Sequence, residues 1–333
     1  MARPPRAHPD VDRFTRDWYA ATGSACADRA LIALSGGPDS SALLLLMAGL
    51  QGSLNPSIAA TVNHGLRATA SMEAGRAADL ARSCGIEHRI LEGALPDRAR
   101  GSANISARAR ALRYTLLERL ADEVDARWIV TAHHADDQLE TVVMRLNRGS
   151  GVRGLSAIRP VTGRVVRPLL GWRSAELARV VASAGVTAIN DPSNTDDRFD
   201  RARLRKHLAH ADWLDPQMVA RSAAALGEAD AAVEWATDLA EDQRCQYGER
   251  QALLKPIFLP AEIRRRLVER CLRRVDTDLE PRGSDVTKLM DGIERNCAAT
   301  LGNVACHSTY ASGGAIPEPI WVFRPAPPRR ASR

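Results

Sequence analysis

The chain has 333 residues, of which 45% are hydrophobic and 26% charged, with a formal net charge of +6. These values fit an ordinary soluble protein of two domains and a polyanionic partner, or simply a solvated basic surface. They exclude a membrane-spanning chain, because the longest apolar run, residues 42–50, is too short for a bilayer, and the N-terminus lacks the apolar core of a signal peptide. The six cysteines (Cys26, Cys84, Cys245, Cys271, Cys297 and Cys306) form no C-x-x-C pair, so neither a zinc ribbon nor an iron–sulfur cluster is indicated, and buried thiols in a reducing cytoplasm are expected. Only Lys206, Lys255 and Lys288 among the 46 basic residues are lysines, a composition bias that carries no functional reading.

In chain order, residues 31–34 (LIAL) predict a strand buried on both faces of a parallel sheet. Leu43, Leu44, Met47 and Leu50 recur at the helical interval and predict a helix from Ser40 that ends before Gly52. Between them, SGGPDS makes a tight strand-to-helix turn. Gly36 and Gly37 let a ligand approach the backbone, the first helical turn offers unpaired N–H groups, and Ser35, Asp39 and Ser40 add the hydroxyls and carboxylate that a phosphate with a divalent cation requires. The turn lacks the G-x-x-x-x-G-K-[ST] pattern and its phosphate lysine. A strand opening into a loop follows over 57–67, then a helix closed by Gly85, a strand over 86–91, a helix over 103–124 and a strand over 127–134. Strands alternating with helices predict an α/β fold with a doubly wound parallel sheet, whose ligands gather at the carboxyl ends of the strands. That rule places residues 35–40, 64–67 and 133–140 around one crevice.

At the end of the last of these strands, HHADDQLET (133–141) starts a helix at Asp136. Asp137 and Glu140 are three apart on it and share a face, so the pair can hold Mg²⁺ or take a proton. A metallohydrolase cluster is the competing reading, but no further paired histidines follow; a capped helix start explains Asp136 better than Glu140. G-x-G-x-x-G at 149–154 follows a helix rather than a strand, so the dinucleotide reading fails there and a flexible loop with basic flanks is expected. Residues 145–206 carry thirteen Arg or Lys against five Asp or Glu, and Arg201, Arg203 and Arg205 alternate along the chain, a pattern read as phosphate contact at several points. From Trp213 the pattern becomes helical, with a β-hairpin tail over 301–323. The expected division is an N-terminal extension (1–23), a catalytic domain (24–212) and a smaller, mainly helical domain (213–333). There are no internal repeats.

SGGPDS, VNHGLR (62–67), ARALRY (109–114), HHADDQLET (133–141), RGSGVRGL (148–155) and DPSNTDDRFDRARLR (191–205) occur together and in this order. The set resembles tRNA(Ile)-lysidine synthetases, members of the PP-loop ATP pyrophosphatases, over roughly residues 30–206. The resemblance implies that ATP adenylates the C2 oxygen of the wobble cytidine of an isoleucine tRNA with a CAU anticodon, and that the ε-amine of free lysine then displaces AMP. It implies ATP contacts at Ser35, Gly36, Gly37, Pro38, Asp39, Ser40, His64 and Arg67, and Mg²⁺ on Asp39 and Asp137. Catalytic roles fall to Asp39, His133, Asp137, Glu140, Arg113 and Arg205, and tRNA contacts to Arg110, Arg145, Arg148, Asn194, Arg201 and Arg203, with the C-terminal domain also on tRNA. Ala202 stands where the family's last motif usually carries Asn. A homodimer is compatible with this reading, and a cytoplasmic location without membrane contact is expected. A related thiolase is disfavoured by the missing C-x-x-C, and a non-catalytic RNA-binding relative by the intact Asp39, Asp137 and Glu140.

Overall fold

A computed structural model describes residues 9–23, 28–50, 57–63, 70–93, 105–187, 200–310 and 318–327. Two compact units divide at Gly227, within one long helix. In the first unit the elements run α1 (Pro9–Thr22), β1 (Ala30–Ala33), α2 (Pro38–Gly49), β2 (Ile58–Asn63), α3 (Ala70–Ser83), β3 (Glu87–Glu92), α4 (Ile105–Glu123), β4 (Trp128–Val130), α5 (Ala135–Leu146), α6 (Val152–Leu155), β5 (Val161–Thr162), β6 (Val165–Val166), α7 (Ser174–Ser183) and α8 (Asp200–Leu208). The long helix is α9 (Pro216–Arg244).

The sheet order is β3-β2-β1-β4-β6-β5, parallel throughout except for the β5–β6 pair. The chain moves outward from β1 through β2 to β3, then returns to place β4 on the other side of β1, so the strand order reverses between β1 and β4. A crevice opens at the carboxyl ends of such a pair. β1 is apolar throughout because both faces are covered: Ala30 and Ile32 pack with α1, α2, α3 and α7, while Leu31 packs with Ile58, Ile129 and the α4 residues Leu117, Leu120 and Ala121. α2 lies under this sheet with residues 40–48 all buried, which is why its sequence is apolar on every side. Gly85, at φ +70°, ends α3 in the left-handed conformation expected of a closing glycine.

Residues 9–22, within the expected N-terminal extension, form a helix that joins this core. Val11, Phe14 and Trp18 are buried in it, Asp17 accepts a hydrogen bond from Trp172 Nε1 at 2.8 Å, and the Arg13 guanidinium stacks 4.1 Å from the Trp172 ring.

The second unit holds the remainder of α9, β7 (Cys245–Tyr247), β8 (Ala252–Leu254), α10 (Ala261–Val275), α11 (Gly283–Glu294), β9 (Ala299–Leu301), β10 (Val304–Tyr310) and β11 (Pro319–Pro325). The expected hairpin is present as β10 and β11, and three short strands extend it to an antiparallel sheet of order β7-β8-β11-β10-β9. Arg266 on α10 is 1% exposed and is held by Asp230, Glu234 and Glu262 at 2.5, 2.6 and 2.9 Å. Truncating it to Ala would remove the Arg266 ion pair from Asp230, a carboxylate only 9% exposed in its side chain. Arg266→Ala is expected to destabilise this unit by about 3–5 kcal/mol. Urea unfolding of the full chain followed through this unit measures the loss, and a change below about 1 kcal/mol would show that the ion pairs are dispensable.

Candidate active site

The turn after β1 is held by its own hydroxyls. Gly36 is buried with φ +83°, a conformation that disfavours any side chain, and Gly37 precedes Pro38 at the first position of α2. The Ser35 N–H donates to Ser40 Oγ at 3.2 Å, the Ser35 and Ser40 hydroxyls are 3.0 Å apart, and Ser40 Oγ donates to the Gly37 carbonyl at 3.1 Å. These bonds hold the backbone around the exposed N-terminus of α2, where unpaired N–H groups face any anion placed there. Asp39, in the first turn of α2, is partly exposed, yet its Oδ1 is buried with no hydrogen-bond partner.

The ends of β4 and β1 meet at His134. This histidine is 5% exposed, and its ring nitrogens lie 3.5 Å from Asp39, 3.4 Å from Asp136 and 3.6 Å from Asp137. Burial works against its charge, but the carboxylates of Asp136 and Asp39 within 3.5 Å and the field of Asp137 overcome that and raise its pKa to about 10, so His134 is an imidazolium at neutral pH. Asp136 is also partly buried, but His134 and the Ser174 N–H, which donates to Asp136 Oδ2 at 2.8 Å, bring its pKa down to about 2. Asp136 therefore ties the start of α7 to the site. Neighbouring His133 behaves in the opposite way. Its Nδ1 lies 2.9 Å from the Thr131 hydroxyl, and burial, opposed by Asp137 and reinforced by Arg110, Arg167 and Arg201, lowers its pKa to about 4. One histidine is charged and its neighbour neutral.

The signs give a testable pH dependence. His134 has a folded pKa above its ordinary 6.5, so the stability it adds is fully present below pH 6.5 and is lost as pH rises toward 10. Asp136 has a folded pKa below its ordinary 3.8, so its contribution is present above pH 3.8 and lost as pH falls toward 2. Denaturant unfolding of the wild type and His134→Gln is expected to show the largest difference between about pH 4 and 6.5, shrinking above that range. A difference that grows between pH 7 and 9.5 would contradict the charged state of His134.

Asp137 and Glu140 share a face of α5 and meet α8. The Asp137 carboxylate accepts from the His134 backbone N–H at 3.1 Å and pairs with Arg201 at 3.3 Å; burial would raise its pKa, but His134 and Arg201 outweigh that and lower it. Glu140 is 2% exposed and accepts from Arg201 Nε at 2.7 Å and Arg205 Nε at 2.6 Å. The alternating spacing read along the chain thus becomes something else once α8 forms: Arg201 and Arg205 are one turn apart on one face and converge on Glu140, while Arg203 faces elsewhere and is exposed. Ala202 is buried on α8.

The remaining sequence-derived positions are spread around this centre. Arg110 and Arg113 are exposed on α4, and Arg110 lies over the Tyr114 ring at 5.1 Å with Nη2 3.3 Å from its hydroxyl. Arg148 is exposed after α5. Residues 152–155, partly inside the stretch 149–154 expected as a flexible loop, form the short helix α6, and Arg145 Nη1 donates to the carbonyls of Gly154 and Ala157 while Gln138 exchanges two bonds with the Ile158 backbone at 2.8 Å each, which pins this segment to α5. His64, Arg67 and Asn194 lie outside the described residues. Sequence reasoning missed His134, because two adjacent histidines look alike until the strand end turns one of them inward.

A parallel sheet whose strand order reverses beside a partly exposed, glycine-led anion turn defines a nucleotide-binding α/β protein of the PP-loop class. The PP-loop domain family model matches residues 11–211. Among similar proteins, a tRNA(Ile)-lysidine synthase of Novosphingobium aromaticivorans is 40% identical over 330 residues, covering 97% of this chain and 96% of the relative. Another, of Zymomonas mobilis, is 37% identical over 307 residues, covering 90% of this chain and 89% of the relative. Among solved structures, the U34-tRNA thiolase NcsA of Methanococcus maripaludis is similar at a TM-score of 0.55 with 18% identity, over 66% of this chain and 80% of that one, which shows a shared fold. The chain belongs to the tRNA(Ile)-lysidine synthase family.

Proposed function

We propose that this protein uses ATP to activate the C2 oxygen of a wobble cytidine in isoleucine tRNA as an AMP ester, and that the ε-amine of free lysine then displaces AMP to leave lysidine. The observation that carries this reading is the meeting of the anion turn with Asp39, His134 and Asp137 at the switch point between β1 and β4. The turn and the N-terminus of α2 receive the phosphates of ATP, through Ser35, Gly36, Gly37, Pro38 and Ser40, with His64 and Arg67 added by resemblance. A ring carbonyl oxygen is a poor leaving group, and attaching AMP to it makes the displacement by an amine feasible.

The residues present fit a Mg²⁺ ion. Asp39 Oδ1 is a buried acceptor without a partner, and Asp137 faces the same histidine. Among the described residues no three His, Cys, Asp or Glu side chains gather as a metal cluster, so phosphate oxygens would have to complete the ion's ligand shell. Asp39 and Asp137 would hold it, and bound there it supplies charge neutralisation as pyrophosphate departs. The His134 imidazolium holds both carboxylates in place. Glu140 orients Arg201 and Arg205 toward the crevice, where Arg205, with Arg113, serves the reacting nucleotide. Asp137, the carboxylate beside neutral His133, orients the ammonium of the incoming lysine, which must lose a proton before it attacks; both groups are held below their ordinary pKa, so neither is a strong base.

The basic stretch then serves tRNA together with Arg110, Arg145, Arg148 and Asn194. Arg203, exposed on the face of α8 turned away from Glu140, is the member of the trio proposed for phosphate contact. Arg203→Ala is expected to lower the slope of log affinity for tRNA against log salt by about 0.7–0.9; an unchanged slope would return Arg203 to the solvated surface. Partners are tRNA and free lysine, a homodimer is the proposed assembly, and the cytoplasm is the proposed location; among the described residues no helix is long and apolar enough to cross a membrane. The reading is tested by single-turnover pyrophosphate release: it should require isoleucine tRNA of the CAU type and ATP but not lysine. Release that is indifferent to tRNA would contradict it.

A further inference from the structure

Lysine is both a cation and an anion, and the reading above provides carboxylates for its ammonium but nothing for its carboxylate. Arg167 directly follows β6 and is 8% exposed. Its Nη1 donates to the Arg159 carbonyl at 2.8 Å and to Thr162 Oγ1 at 3.1 Å, which fixes the outer edge of the guanidinium against the β5–β6 hairpin. Its Nε is buried and has no hydrogen-bond partner. In a guanidinium, Nε and Nη2 share one edge, and that edge matches a carboxylate with two parallel bonds. A buried N–H left unpaired is costly unless something outside the chain completes it.

The surroundings favour an anion. Besides Thr162, the Tyr114 hydroxyl and the Arg110 guanidinium act on Arg167, and Arg110 lies over the ring of the same tyrosine. His133 feels the carboxylate of Asp137 and the guanidinium groups of Arg110, Arg167 and Arg201. The sheet order separates this point from the phosphate turn. The turn follows β1, Asp137 comes after β4, and Arg167 follows β6, so the three lie in the order β1-β4-β6 with neighbouring strands about 5 Å apart. A phosphate seated on the β1 turn is therefore two strands away, whereas an amino acid whose ammonium faces Asp137 extends its four-carbon stem across His133 toward β6.

We propose that the Nε edge of Arg167, flanked by Tyr114 and Arg110, binds the α-carboxylate of the incoming lysine and makes the enzyme select an amino acid over a simple diamine. This assignment rests on the function proposed above.

The test compares lysine with cadaverine, which has the same amine and stem but no carboxylate, as acceptors for adenylated tRNA. Wild type is expected to prefer lysine by on the order of 10²-fold in kcat/KM. In Arg167→Met the KM for lysine should rise by about 10- to 100-fold while cadaverine is used as before, so the preference collapses. Because Nη1 also braces the hairpin, Arg167→Lys is measured beside it with its melting temperature; it keeps the charge without the fork and should lose most of the preference for lysine whatever stability the lost brace costs. A purely structural role would lower both acceptors together and leave the ratio unchanged, which would overturn the assignment. A raised KM for ATP with an unchanged lysine preference would show that the anion is a phosphate and would also overturn it. Wild type that releases pyrophosphate with tRNA yet uses neither amine would instead sink the function proposed above, and this assignment with it.

Discussion

Asp39→Asn is expected to lower tRNA-dependent pyrophosphate release by about 10²- to 10³-fold while the fold persists. The substitution keeps the shape of the side chain and removes the charge from the first turn of α2. Two partners feel the loss. The His134 imidazolium, 3.5 Å away, loses one of its three carboxylates but keeps Asp136 and Asp137, so the buried cation remains paired. The phosphate turn is braced by Ser35, Gly37 and Ser40 and does not depend on the Asp39 carboxylate. Stability should therefore change little, and the loss should fall on the step in which charge builds on the departing pyrophosphate. Activity within about tenfold of wild type, roughly 1.4 kcal/mol, would remove Asp39 from the chemistry.

The Glu140 cluster makes a second large prediction, and it depends on which partner is removed. Glu140 has a side chain only 3% exposed, whereas Arg201 and Arg205 are 42% and 46% exposed. Taking away the carboxylate frees two arginines that can turn into water. Taking away both arginines strands a buried carboxylate that cannot. Arg201→Ala combined with Arg205→Ala should thus destabilise the chain by about 3–5 kcal/mol, and Glu140→Gln by clearly less. Both should lose activity, because α8 is no longer fixed against α5. Equal losses of stability would mean that Glu140 reaches solvent when its partners go, and the double-mutant cycle between Glu140 and Arg205 should in that case show no coupling.

The parts legible in the sequence were those in which local chemistry and tertiary packing agree. Residues 31–34 and the helix after SGGPDS could be placed because an apolar run bounded by Gly-Gly-Pro has few other solutions in a parallel sheet. Strand β1 proved to be Ala30–Ala33 and α2 Pro38–Gly49. The strands β5 and β6 have two residues each, too short to show any period, and β7, β8 and β9 have three. β6 and β8 exist because β4 and β11, both distant in sequence, supply their hydrogen bonds, and β5, β7 and β9 form only as edge strands on the strand next to them. Helix α7 left a readable signal that went unused: Leu177, Val180 and Val181 at helical spacing, with Glu176 reaching back to the Arg173 N–H at 2.7 Å. Val11, Phe14 and Trp18 on α1 left another.

Within the site, the sequence identified the carboxylates but not their partners. Asp137 and Glu140 could be placed on one face of a helix from their spacing alone. That Glu140 would be fully engaged by two arginines some sixty residues later required α8 to be a helix, since spacing of two along a chain and spacing of four around a helix give opposite readings of the same three arginines. The roles of His133 and His134 were likewise decided by burial and by which carboxylates surround each ring, neither of which adjacent identical residues can reveal.

The central claim is that an amino acid, and not sulfur or ammonia, is joined to tRNA at the expense of ATP. Isoleucine tRNA of the CAU type incubated with the protein, ATP and isotopically labelled lysine, then digested to nucleosides and weighed by mass spectrometry, tests it most directly. The account predicts a single modified cytidine that carries the whole lysine label, formed with one AMP and one pyrophosphate for each lysine. Pyrophosphate and AMP released with an unlabelled tRNA, or a cytidine that gains sulfur or nitrogen from sulfide or ammonia in place of lysine, would contradict it.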